Sequence, residues 1–371
     1  MPFTRATQRT VLAVVHLATA GHVLDAVDLL VPDHRIQVVC TTAPGRRATD
    51  VTAAGAAYLP WEEAMRADVD LVIAAEPAAL RRLRGTWLAI VPGIVDDLDA
   101  AWSARYDARP PDALAVSHQD LLPSPAEPCP QVPPVTAVTG DLCLDRLVRS
   151  RLHRAAYRRA LGVADGRTLV AVTSAPGPDS LLARAPAALL DVLGALPEEE
   201  FAVAIGLHPG AWYAHLSRPV LAWLERRRRA GLRIVDPPTW RGLVGAADVL
   251  IGDHGAATVY AAAAGVPVLR AVRLPPGSAA GSPATALARA APALRPDRPL
   301  AAYLREAVET FDPVRYAAVA AAVTSRPGQA TRSLREQIYR MLWLPEPALD
   351  CAPTPVEPAV AVSAESFAKI G

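Results

Sequence analysis

Short runs of consecutive apolar and β-branched residues alternate along the chain with stretches whose apolar positions recur every three to four residues. The first pattern marks strands buried on both faces and the second amphipathic helices; their alternation predicts open, mostly parallel α/β sheets. In the N-terminal half, strands are expected at 11–16, 36–41, 71–75, 88–91 and 113–117, with helices at 23–30 and around 61–65 between them. The proline-rich stretch "LLPSPAEPCPQVPPV", residues 121–135, then loops out, followed by "VTAVTGDLCLDRL" and a polar helix around 151–161. The alternation restarts with strands at 169–173, 202–207, 232–235, 249–251 and 266–269 and helices at 186–196, 219–229 and 241–246. One more helix, at 330–343, has Leu334, Ile338 and Leu342 in phase. Residues 344–371 hold prolines with little pattern and are expected to be disordered. The expected architecture is two Rossmann-like doubly wound α/β domains, 1–150 and 151–343, with a cleft between them and a tail at 344–371.

Composition narrows the function classes. A chain of 371 residues with 51% hydrophobic and 20% charged residues builds two ordinary cores. Lysine plus arginine number 38 against 37 acids, so no net field points to nucleic acid or an anionic membrane. The run Arg226–Arg229 reads as the solvated, C-terminal end of a helix, where positive charge is favoured. Lys369 is the only lysine, and with the abundance of Ala, Val and Pro this looks like GC-rich coding. Cys40, Cys129, Cys143 and Cys351 are scattered without C-x-x-C spacing, which argues against a zinc site or a disulfide framework, so no metal is expected. Arg5 and Arg9 ahead of "VLAVVHLATA" imitate a signal peptide, but His16 interrupts the run and a helical pattern follows directly, as for a buried first strand. No stretch approaches the ~18–20 apolar residues of a membrane span. A cytoplasmic protein is expected, with peripheral membrane association left open.

The chemistry concentrates in "VLIGDHGAATVYAAAAGVPVLRA", residues 249–271. A strand runs into Asp253, His254 and Gly255 and then into an alanine-rich helix. Ligands of open parallel sheets collect at the carboxyl ends of strands, and a helix start offers unpaired N–H groups and the positive end of its dipole. Gly255, Ala256 and Ala257 are small enough for a phosphate to approach those amides, and Thr258 adds a hydroxyl. Asp253 would repel a phosphate, so helix capping is its expected role. His254 either donates to a phosphate oxygen or faces solvent. In "AIGLHPGAWY", Pro209 holds His208 in extended backbone at the same sheet edge. In "LVAVTSAPGPDS", Thr173 and Ser174 fall in the first strand-to-helix loop of the second domain, a composition that suits phosphate contact or any turn. The first domain places His16 after its first strand and His118 after a later one, without a G-x-G-x-x-G fingerprint. Gly140, Asp141 and Asp145 gather near the domain junction, the two aspartates at a spacing compatible with one helix face.

These pieces resemble the GT-B glycosyltransferase architecture and, more narrowly, actinobacterial proteins related to the CDP-glycerol glycerophosphotransferases of teichoic-acid synthesis. The resemblance is carried by "VTGDLCLDRL", "RRALGVADGRTLVAVTSAPGP", "GLHPGAWY" and "AADVLIGDHGAATVYAAAAGVPVL", and in the N-terminal half by "VVHLATAGHVLDAVDLL" and "IQVVCTT". It implies a nucleotide-diphosphate donor, bound as substrate with no separate cofactor, whose phosphates lie among His208 and residues 253–258. It also implies that the loop "DPPTW", with Pro238 and Trp240, reads the base. Two positions depart from the pattern. Pro92, before Gly93, stands where those transferases carry a histidine regarded as the catalytic base, and Tyr260 stands where many GT-B relatives grip the ribose with a glutamate. His16 and His118 are then the substitute bases.

The expected activity is transfer of a glycerophosphate, polyol-phosphate or glycosyl group from a cytidine or uridine diphosphate carrier to an unidentified acceptor. The alternatives are a catalytically degenerate relative acting as a nucleotide-binding or scaffolding protein, and a nucleotide-sugar epimerase.

Overall fold

The computed structural model describes residues 8–16, 19–43, 56–75, 82–94, 111–122, 136–184, 192–208, 218–275, 278–295, 297–348, 352–363 and 367. Pro209, Cys129, Cys351, most of the 121–135 loop and the first part of the helix expected at 186–196 lie outside them. The chain forms two compact units, Met1–Asp145 with Val323–Pro353, and Arg146–Ala322 with Thr354–Gly371.

The first unit holds a seven-stranded sheet in the order β3-β2-β1-β4-β5-β6-β7. Its strands are β1 (Arg9–Val14), β2 (Ile36–Thr41), β3 (Ala57–Tyr58), β4 (Leu71–Ala74), β5 (Thr86–Val91), β6 (Ala113–Val116) and β7 (Thr136–Val138), all paired in parallel. Alternate residues of β1 serve opposite cores. Val11 and Ala13 pack with Val23 and Val27 of the helix Ala20–Asp28, while Leu12 and Val14 pack with Leu59, Trp61 and Trp87. Burial on both faces is why the strands read as unbroken apolar runs. The short β3 and β7 escape sequence reading because two or three residues carry no period.

The helix Ala330–Met341 corrects the expected domain limits. Its apolar face, Leu334, Ile338 and Tyr339, closes the Val11 side of this first sheet instead of ending the second domain. Periodicity shows that a helix has an apolar face, not which sheet that face covers. Asp33 secures it by accepting from the Tyr339 hydroxyl (2.8 Å) and from Arg35. The Arg35 guanidinium thereby holds the Asp33 carboxyl well below the usual carboxylate range. Asp145 caps the same helix, accepting from the N–H groups of Gly328 (2.7 Å) and Ala330 (3.0 Å).

The second unit holds a five-stranded parallel sheet in the order β10-β9-β8-β11-β12, built from β8 (Thr168–Ser174), β9 (Phe201–Leu207), β10 (Arg233–Val235), β11 (Val249–Gly252) and β12 (Val268–Arg270). Val170, Val172, Ile205 and Ile251 point into one core with Leu224, Leu300 and Leu304. The helices Trp240–Ala246 and Ala256–Ala263 pack against β8, β9 and β11. At the amino ends, Asp248 accepts from Leu169 N–H (2.7 Å) and pairs with Arg154 and Arg158 of the helix Arg154–Ala160.

Much of the tail is ordered against this unit, which corrects the expectation of disorder. Ala361 bridges Val235 in antiparallel sense, Val362 N–H donates to Ile234 O (2.7 Å), and Phe367 is buried in the core. The segment borrows its order from edge strand β10, so it needs no local pattern of its own. Among the described residues no helix is long and apolar enough to cross a membrane.

Candidate functional site

In the second sheet the chain passes from β8 outward to β9 and β10, then crosses back to β11 and outward to β12. Connections therefore leave β8 and β11 in opposite directions, and the gap beyond their carboxyl ends is the place where open α/β sheets seat ligands. The residues there are Thr173, Ser174 and Ala175 after β8, and Asp253, His254 and Gly255 after β11.

Asp253 organises the gap. It is 1% exposed, and its Oδ2 accepts from the N–H groups of Ala175 (2.9 Å) and Leu181 (3.0 Å) while Oδ1 accepts from Gly255 N–H (2.9 Å). From the sequence, Asp253 is expected to cap the helix that follows it. Its carboxylate instead locks the β11 turn to the β8 loop and to the start of the helix Leu181–Arg184. The partners lie 72 and 78 residues upstream, where no local rule finds them.

The consequence falls on the helix Ala256–Ala263. Its N-cap, Gly255, supplies no side-chain cap, and the first intrahelical bonds run from Thr258 and Val259 N–H to Gly255 O. Ala256 is exposed and Ala257 half-buried, so the first-turn amides open to solvent. Gly255 is required by proximity: a Cβ there would lie 2.7 Å from Ala175 Cβ and 3.0 Å from Asp253 Oδ1. Gly252 is required likewise, since its Cβ would fall 2.3 Å from Thr258 Oγ1.

The hydroxyls sit elsewhere than the sequence suggested. Thr258 and Thr173 are buried beneath the turn and share a hydrogen bond between their Oγ1 atoms (3.0 Å). Ser174 is also buried, its Oγ donating to Ala175 O (3.2 Å) and accepting from Leu182 N–H (3.1 Å). These three side chains brace the floor of the gap.

Both histidines reach its margin. His208 is half-buried, and its N–H donates to Ser174 O (3.2 Å), which ties the end of β9 to the end of β8. Burial pushes its imidazole below the ordinary histidine value, opposed by the Asp253 charge, so it is neutral near pH 7. His254 is half-buried with a buried Nδ1. Beyond β10, the single-turn 3-10 helix Pro237–Thr239 leaves Pro238 exposed and Trp240 half-buried. The Trp240 ring lies 6.0 Å from that of Tyr260, which is buried in the Ala256–Ala263 helix.

The histidines of the first unit have separate settings. His16 follows β1, which adjoins β4 at that sheet's own switch point, and is 2% exposed. His118 follows β6, and its Nδ1 accepts from Asp120 N–H (3.0 Å), which leaves Nε2 as the protonated nitrogen. Gly93 N–H donates to Asp141 Oδ2 (2.9 Å), while Asp141 Oδ1 accepts from Leu144 N–H (2.8 Å) at the start of the helix Leu142–Arg151. Asp141 and Asp145, which the sequence left without a role, are thus two structural caps.

No protein-family model matches the sequence, and no curated protein sequence matches it either. Among solved structures, a variant of the wall teichoic acid polymerase TagF soaked with CDPG is 10% identical at a TM-score of 0.61, over 91% of this chain and 89% of that one. HepE of Anabaena in complex with UDP and glucose is 14% identical at a TM-score of 0.50, over 91% of this chain and 99% of that one. Identities this low carry the fold and not the activity. The chain has the two-domain, parallel-sheet α/β fold of the GT-B glycosyltransferases.

Proposed function

We propose that the second unit binds a nucleotide-diphosphate-activated donor and that the protein transfers a glycerophosphate, polyol-phosphate or glycosyl group from it. The observation that carries this reading is the withdrawal of Asp253. Its carboxylate is buried against three N–H donors, which in this reading leaves the Ala256 and Ala257 amides and the positive end of the helix dipole free to meet an anion. The diphosphate would rest on these amides and pass close to Gly255, whose own N–H is held by Asp253 and whose missing side chain leaves room, with His208 and His254 donating to its oxygens as charge develops on the leaving group. Pro238 and Trp240 would read the base. Thr173, Ser174 and Thr258 would act from below, by fixing the loops. His16 and His118 are the candidates for the base that takes the acceptor proton. That solved structures of this fold include complexes with UDP and with CDPG supports a donor of this class.

A second reading is a nucleotide-binding protein without turnover. Pro92 cannot accept a proton, His16 is enclosed, and His118 already uses Nδ1 as a cap. One experiment separates the two. CDP- and UDP-linked donors are titrated calorimetrically while release of CMP, CDP, UMP or UDP is followed. Release that disappears in His208→Ala and persists in His34→Ala supports catalysis; binding without release supports the second reading. Absence of any binding refutes both.

A further inference from the structure

The C-terminal segment 354–363 runs along the turn 236–239 proposed to read the donor's base, and it is bonded to both ends of that turn. Val360 O accepts from Asp236 N–H (2.8 Å), and Val360 N–H donates to Thr239 Oγ1 (3.0 Å). The Thr239 hydroxyl in turn donates to Asp236 O (2.9 Å), the same carbonyl that accepts Thr239 N–H. Thr239 is therefore a relay between the segment and the two ends of the turn 236–239. Past the turn, the Ala361–Val235 bridge and the Val362 bond to Ile234 extend the sheet by one antiparallel step beyond β10.

The helix after the turn is shaped to admit the segment. A Cβ on Gly242 would lie 2.2 Å from Ala359 N and 2.5 Å from Glu357 O, both backbone atoms that have no free rotation to escape. Glycine inside a helix costs about 1 kcal/mol relative to alanine, so contact with the segment is the evident return for its presence. The other end is fixed independently. Arg146 donates to Thr354 O (3.1 Å) and Pro355 O (3.3 Å), Ser150 Oγ accepts from Val356 N–H (2.9 Å), and the Tyr157 hydroxyl donates to Val356 O. Val356 and Ala359 are buried, as is Phe367 beyond the strap. Pro355 and Pro358 restrict the backbone between these anchors, which lowers the entropy lost on ordering it.

We infer that this strap is a positioning element for donor binding: by holding the turn 236–239, which leads directly into Trp240, it sets the conformation that receives the base. Pro238 stays exposed, so the strap supports the turn without occupying its outer side. The inference rests on the proposed donor site, and the test keeps the two apart.

The full chain carries Gly242→Ala, Thr239→Val or Thr239→Ser, and CDP and UDP are the probes. Gly242→Ala favours the helix but wedges out the strap. It is expected to weaken nucleotide binding about tenfold, as for a site whose competent conformer has become a minor one. It should also speed amide hydrogen exchange at Asp236 and Val362. Thr239→Val cuts the relay and is expected to weaken binding about threefold, and Thr239→Ser to restore it. If exchange accelerates while binding is unchanged, the strap only covers a sheet edge and the inference fails. It fails equally if exchange does not change. If the unaltered protein binds neither nucleotide, the donor site itself is refuted and the positioning role falls with it.

Discussion

Replacing Asp253 tests the centre of the site most directly. The Asp253→Ala variant removes one acceptor from three backbone donors, of which Leu181 is buried and Ala175 and Gly255 half-buried. Hydrogen bonds to a charged acceptor contribute about 1.5–3 kcal/mol each, and a buried donor left alone costs about 1–3 kcal/mol. The two half-buried amides recover part of this by turning to water, so the net loss is about 3–5 kcal/mol. That is a large share of the ~5–15 kcal/mol that stabilises a typical domain. For a domain of this size it lowers the melting temperature by roughly 6–20 °C. Asp253→Asn keeps an oxygen for Ala175 and Leu181 but points an NH2 at Gly255 N–H, and is expected to cost about 1–3 kcal/mol. Urea unfolding followed by tryptophan fluorescence, with calorimetric melting, measures both. The reasoning is refuted if Asp253→Ala stays within about 1 kcal/mol of the parent. A carboxylate facing the ligand would behave oppositely, since its removal would leave stability intact and tighten diphosphate binding by relieving repulsion.

Three further outcomes follow from the same geometry. Thr173→Val or Thr258→Val alone should cost about 1–2 kcal/mol by stranding one buried hydroxyl, whereas the double variant costs less than the sum, a non-additivity that a double-mutant cycle reads as coupling near 1 kcal/mol. His208 has its imidazole value lowered by burial, so the unfolded chain binds more protons than the folded one between the folded value and 6.5. Stability should therefore rise with pH across that window and level off above it, and His208→Gln should flatten the slope in unfolding experiments at pH 5.5 and 7.5. Tyr339→Phe removes a buried donor from Asp33 and should destabilise the first unit by about 1–2 kcal/mol, measured by hydrogen exchange in β1 and β4.

The long strands were legible because burial on both faces leaves apolar runs, as at β2, read at 36–41 and observed at Ile36–Thr41. The turn after β11 was legible because a strand, a polar triplet and a helix start follow one another directly. What escaped reading depends on distant partners. The helix Pro313–Val323 lies in alanine-rich sequence where the apolar face is diluted around the whole circumference, whereas Pro283–Ala290 and Leu300–Glu309 are short but keep a one-sided apolar face, with Leu300, Tyr303 and Leu304 buried at helical spacing. Asp145 is fixed wholly by distant amides, and Asp141 and Asp253 each add to one near amide partners far away in the chain, Gly93 for the first and Ala175 and Leu181 for the second. The strap carries no period because its order comes from β10 and Gly242, and the sequence around 354–363 alone resembles any proline-bearing tail.

The placement of the Ala330–Met341 helix bears on how the chain is made. Its first unit needs segments from both ends of the sequence, Met1–Asp145 and Val323–Pro353. At about 5–20 residues per second, the roughly 180 residues between them take roughly 9–35 s to be made. During that interval the nascent sheet presents Val11, Leu71 and Leu88 without the Leu334 and Ile338 cover they receive at the end. The half translated first thus stays incomplete until nearly the whole chain has been made, and for that interval it must rely on chaperones or on its own solubility.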